Sequence, residues 1–246
     1  MAVVPLKLWR PSWFDGVALV VGSISPDLAY AADGYGITIH SHAWHAAMWW
    51  ALPLTLVAVR LIRWAAPVVA ANLPVAGPFA LRDYGVLGCV RHRWWVTAAS
   101  ALLGACSHIV WDAFTHPAVD GARVIFPMLH HEPVPGRPWW WLLRMASDVF
   151  GTVAGVVLAF QVGRRRLLRT WHGEPPQYPA RPARFWSAVA VTVGLGVALL
   201  AAQPVRLFHD QAVRVMAIVG LALLVGAATE RPNRRHRRST VAPEGG

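Results

Sequence analysis

The chain has 246 residues, 56% of them hydrophobic and 14% charged, with a mean hydropathy of +0.41. Soluble domains are nearer a quarter charged, so this composition excludes an ordinary soluble protein and, equally, a charge-rich disordered one. The net charge of +11 does not point to nucleic acid, because the arginines lie between apolar runs and in a tail (Arg231, Arg234, Arg235, Arg237, Arg238), as cytoplasmic loops beside anionic headgroups require.

Crossing about 30 Å of hydrocarbon takes roughly 20 mostly apolar residues in a helix. In chain order, residues 14–32 are the weakest candidate, with Gly22, Pro26 and Asp27 in the second half, and read as a broken or partly inserted helix. Lys7 and Arg10 ahead of that stretch, with Ala29, Tyr30 and Ala31 after it, mimic a signal peptide, although Pro26 and Asp27 fit such a segment poorly. Residues 44–62 form the second span. Residues 64–81 contain Pro67, Asn72, Pro74, Gly77 and Pro78, which would leave backbone groups unsatisfied in lipid, and are expected to be an interfacial segment. Residues 95–114, 146–163, 185–205 and 212–229 complete the set. The expected fold is all-α: a polytopic helical membrane protein of about six transmembrane helices.

The expected organisation is a membrane domain over 1–165, a basic cytoplasmic linker over 166–183, two further helices over 184–229 and a basic tail over 230–246. With the amino terminus inside, seventeen of the 23 basic residues fall on the cytoplasmic side and five opposite, which predicts cytoplasmic termini. The two cysteines, Cys89 and Cys106, are too few for a disulfide framework or a thiolate metal site.

On this topology seven of the eleven histidines gather at the outer membrane surface: His40, His42, His45, His108, His116, His130 and His131. Asp27, Asp112 and Asp148 lie on the same side, Asp148 being expected to open the fourth helix. His92, His172, His209 and His236 read as surface residues. His108 and Asp112, four apart, share a helical face, where imidazole and carboxylate could ligate one divalent cation; His116 falls a turn further along, and Pro117 marks the helix end. The same pair could instead only bond each other. Three protein ligands and a water suffice for a catalytic zinc. No Walker loop, dinucleotide glycine motif, His-Glu-x-x-His or nucleophile-elbow serine is present.

At these residues the sequence resembles a bacterial membrane family, domain of unknown function 4184, similar in pattern to phospholipase C-like membrane-bound metal-dependent hydrolases. The matching pieces, within residues 1–165, are Val21-Gly22-Ser23-Ile24-Ser25-Pro26-Asp27, Ser41-His42, and Leu103-Gly104-Ala105-Cys106-Ser107-His108 through Asp112-Ala113-Phe114-Thr115-His116-Pro117. The resemblance implies metal ligation by Asp27, His42, His108 and Asp112, with His116 as a further candidate. Met145 stands where relatives tend to carry a histidine.

The function expected is hydrolysis of a phosphodiester or ester, with membrane lipid as substrate, by a divalent metal such as zinc at the outer face. Arg123 or Arg137 would hold an anionic headgroup. The alternative is a non-catalytic membrane protein whose polar cluster is structural, binds a partner or holds a metal without chemistry. Transport is least supported, since the last two helices carry no buried carboxylate path.

Overall fold

The computed structural model describes residues 3–32, 39–75, 77–116, 126–202 and 208–231. Its helices are α1 (Val4–Trp9), α2 (Gly16–Ile24), α3 (Leu52–Asn72), α4 (Trp94–Thr115), α5 (Trp139–Arg164), α6 (Leu167–His172), α7 (Pro182–Ala201) and α8 (Phe208–Glu230). Five stretches are long and apolar enough to cross a membrane: Ala47–Asn72, Trp94–Thr115, Trp139–Arg164, Pro182–Ala201 and Asp210–Glu230. Among the described residues there is no strand, only an isolated bridge between Val134 and Arg137. The chain is an all-α polytopic membrane protein. Its long helices turn bare apolar side chains outward, including Val149, Phe150, Val153 and Val156 on α5 and Val191, Leu195 and Leu199 on α7, as lipid contact permits.

The first candidate span is indeed broken. Asp15 caps α2 by accepting the Ala18 N–H at 3.3 Å, and the helix ends before Pro26, giving way to a 3₁₀ stretch at Asp27–Ala32. Nine helical residues rise about 14 Å, half a bilayer core. Two other expectations need correction. Residues 64–72 are not an interfacial segment but the second half of α3, which runs through Pro67; the non-helical turns start only afterwards, at Gly77–Phe79 and Leu81–Gly88. Proline there removes one helical donor without ending the helix, because tertiary contacts hold the rest: Ala65 and Val68 are packed against Phe185 and Ala227. Asp148 does not open a helix either. The helix starts at Trp139, so Asp148 is an exposed residue within α5.

What positions the site is the close crossing of α2 and α4. A Cβ added to Gly22 would lie 2.3 Å from the Ala101 carbonyl oxygen, and one added to Gly104 would lie 2.5 Å from that of Leu19. The two backbones therefore touch, as small residues allow between membrane helices. One end of α2 is clamped by Asp15, whose carboxylate accepts from Arg63 Nη2 at 2.7 Å and Thr97 Oγ1 at 2.8 Å. At the other end Trp50 Nε1 donates to the Ser25 carbonyl at 3.0 Å. Trp50 belongs to a π-helical turn, Ala47–Ala51, whose Ala47 and Ala51 pack on Ala105 and Ile109 of α4. Helices α7 and α8 pack on each other and on α3, and α8 also lies against the Asp27–Ala32 stretch. Asn72 Nδ2 donates to Glu230 Oε2 at 2.9 Å, tying the far ends of α3 and α8, and α8, expected to hold no buried carboxylate, buries both Asp210 and Glu230.

Candidate metal centre

Three separate segments bring four side chains together. Asp27 opens the 3₁₀ stretch that follows α2, His42 lies in the loop before the π-turn, and His108 and Asp112 face the same way from successive turns of α4. One potential ligand atom from each lies within 4.8 Å of every other. His42 Nε2 is 3.3 Å from Asp27 Oδ1 and 3.2 Å from Asp112 Oδ2; His108 Nε2 is 3.3 Å and 3.0 Å from the same two oxygens. Each imidazole thus bridges both carboxylates.

The donors suit a divalent ion. Ligands about 2.0–2.2 Å from one centre stand roughly 3–3.5 Å apart as neighbours, which is the spacing of the four imidazole–carboxylate pairs. Two carboxylates and two neutral imidazoles also leave such a site uncharged overall. His108 Nε2 is buried and, despite the nearby oxygens, makes no aligned hydrogen bond, as a nitrogen whose lone pair serves a metal would. His42 Nδ1 lies 3.1 Å from Ser41 Oγ; with Nδ1 donating to that hydroxyl, Nε2 would be unprotonated and open to a metal.

The same four groups can also satisfy one another without an ion. Burial pushes the Asp27 carboxyl up, but the His108 and His42 imidazoles beside it outweigh that and hold the group well below the usual carboxylate range. Burial pushes His42 down, yet the bonds to Asp112 and Asp27 raise it above its ordinary value. Those shifts describe a charged His42 imidazolium paired with an ionised Asp27.

Other sequence candidates fall around this core or away from it. His116, the residue that ends α4, is not one of the four; its Nδ1 sits 3.5 Å from Asp112 Oδ1 and 3.2 Å from Thr115 Oγ1. Burial, with Arg144 adding its positive charge, lowers the His116 pKa. Arg137 is exposed, its guanidinium 4.2 Å from the centroid of the Trp141 ring, and Arg123 lies outside the described residues. His40, His45, His130 and His131 are exposed.

Sequence reasoning missed two neighbours. Tyr30 packs its ring 5.4 Å from that of His42, and Arg144, one helical turn before Asp148, is the cation whose field reaches His116. Trp111 Nε1, donating to Ser147 Oγ at 3.0 Å, holds that part of α5 against α4. Arg144 was identifiable only as one more basic residue on the cluster's side. Its proximity depends on α5 beginning at Trp139, earlier than its hydropathy suggested.

The family described as "Domain of unknown function (DUF4184)" matches residues 1–230, taking in α7 and α8 as well as the cluster. No curated protein and no solved structure matches the chain. The chain belongs to that domain-of-unknown-function family.

Proposed function

We propose that this membrane protein is a metal-dependent hydrolase of a phosphodiester or ester, with a membrane lipid as substrate. The observation that carries the reading is the convergence of Asp27, His42, His108 and Asp112 from three segments on one point. Those four residues would hold a divalent ion, zinc being the first choice for two imidazoles with two carboxylates. When bound, such an ion supplies Lewis-acid polarisation of a phosphoryl or carbonyl oxygen and acidifies water.

The chain's own residues do the rest. Ser41 fixes the His42 ring, and Tyr30 covers one of its sides. His116, lowered in pKa by burial and 36% exposed in its side chain, would take a proton from the attacking water and pass it to the leaving oxygen. Arg144 supplies the positive field for an anionic headgroup, a role the sequence had assigned to Arg123 or Arg137. The arginine asymmetry supports cytoplasmic termini, which puts the cluster at the outer face of the cell membrane.

The contacts of 3.0–3.3 Å within the quartet favour one competing reading, a metal-free polar knot that only staples α2, the His42 loop and α4. Turnover separates the two. Detergent-solubilised chain given zinc and a phosphodiester lipid should release product, chelation should stop it, and Asp112→Asn should cost at least the about 10–100-fold typical of lost outer-shell partners. Equal turnover by wild type, chelated protein and the variant would leave the polar knot.

A further inference from the structure

A second site lies at the opposite end of α2, independent of the metal reading. Helix α5 touches α4 near Ser147 and, at Gly163, meets the Gly77–Phe79 turn, where an added Cβ would lie 2.3 Å from the Phe79 carbonyl oxygen. Between those two contacts it stands away from α2 and leaves a cavity of about 400 Å³, within the about 300–1,000 Å³ of small-molecule sites. Its shaft is apolar: Val17, Val20 and Val21 from α2 face Leu158, Ala159 and Val162 from α5. From Gly155 to Val162 that wall runs about 10 Å along the helix.

Its polar lining comes from segments outside the spans. Lys7 is only 6% exposed, and its ammonium donates to the carbonyls of Pro11 at 2.6 Å and Phe14 at 2.9 Å. Two of its three protons are therefore used, and no carboxylate touches it among the described residues. The nearby Asp15 carboxylate is taken up by Arg63, Thr97 and the Ala18 N–H. His92 and His172, expected to be surface residues, are instead half-buried in the same lining with their rings 6.3 Å apart, and His92 Nε2 is buried without a hydrogen-bond partner. Trp171 closes over Lys7, its ring centroid 5.5 Å from the ammonium.

We infer that this cavity binds a membrane lipid with an anionic phosphate head, the head held by Lys7 and His92 and one acyl chain lying between α2 and α5. An unused ammonium proton and an unpartnered imidazole nitrogen at the end of an apolar shaft match the two halves of such a molecule, and an anionic head would compensate the buried Lys7 charge where a neutral head would only hydrogen-bond.

The test titrates the full chain in nonionic detergent with 1-oleoyl lysophosphatidate, 1-oleoyl glycerol and inorganic phosphate, reading bound species by native mass spectrometry. Besides any occupancy of the metal cluster, lysophosphatidate should bind at one site that survives in Asp112→Asn, with 1-oleoyl glycerol about tenfold or more weaker there, the value of one charge-assisted hydrogen bond; phosphate alone should not bind at that site. Lys7→Met should remove the preference for the anionic head, and Ala159→Trp, which fills the shaft, should abolish binding of both amphiphiles. Asp112→Asn should change none of this, so a failed metal site and a failed lipid site remain distinguishable. Equal binding of the two amphiphiles, binding of free phosphate as tight as lysophosphatidate, or intact binding in Ala159→Trp would overturn the proposal. Should Lys7→Met not fold, the ligand comparison and Ala159→Trp decide alone.

Discussion

At the scale of single residues, the cluster's two possible states respond oppositely to pH. His42 is raised above its ordinary 6.5, so the stability it gives the metal-free protein is complete below that value and lost as pH climbs through the raised one. Asp27 is depressed below 3.8, so its contribution is present above 3.8 and lost as pH falls through the depressed value. Metal-free protein should therefore resist heat best between about pH 4 and 6.5 and soften above. Metal binding needs neutral imidazoles, so zinc should stabilise more as pH rises through the same range. Melting curves followed by tryptophan fluorescence, with and without zinc, should diverge above neutrality; parallel curves would contradict metal binding, and a flat metal-free curve would contradict the His42 ion pairs. Ligands of one ion are also non-additive. His42→Ala, His108→Ala and the double variant should share nearly the same reduced metal content, while His172→Ala stays like wild type. Normal metal content in His42→Ala alone would remove His42 from the ligand set. Of these residues, His108 with Asp112 was legible from their four-residue spacing. His42 lies 66 residues from His108, a separation no periodicity spans, so only the family resemblance joined it and Asp27 to the pair.

At the scale of elements, the site rests on two helices that meet backbone to backbone. Gly22→Val or Gly104→Val should force α2 and α4 apart, costing about 1–3 kcal/mol by overpacking and reducing metal content with it. Gly151→Ala in α5, where an added Cβ meets no atom within 4 Å, should be neutral or gain about 0.5–1 kcal/mol from reduced chain freedom. Thermal shift and metal analysis of the three variants check this; a tolerated Gly104→Val would contradict the close crossing. Hydropathy revealed the long helices because lipid-facing residues such as Val153 and Leu195 must be apolar. It misplaced helix ends. Pro67 was read as a breaker because a lone helix cannot replace its lost bond, whereas packing of α3 on Phe185 and Ala227 carries the helix on to Asn72. It was also blind to the cavity, since Lys7, His92 and His172 come from three separate segments and only the tertiary fold assembles them.

At the scale of the whole molecule, the ends of the helices sort into two faces. The His/Asp cluster lies at one, while Arg63, Asp83, Arg166 and Arg169 lie toward the other, where Arg166 and Arg169 donate to Asp83 at 2.8 and 2.7 Å. If the arginine-rich face is cytoplasmic, a single cysteine at Ala43, in a background lacking Cys89 and Cys106, should react with a membrane-impermeant thiol reagent on intact cells, and one at Thr170 only after lysis. The reverse pattern would move the cluster to the cytoplasm and exclude an outer-leaflet substrate. The central claim is that four residues from three segments form one metal site, and metal content of the purified chain tests it most directly. Protein expressed in metal-replete medium should carry about one equivalent of a divalent metal at the four-ligand cluster, zinc foremost, and lose it when His108 and Asp112 are both replaced by alanine. Wild-type protein that remains metal-free under those conditions would contradict the account.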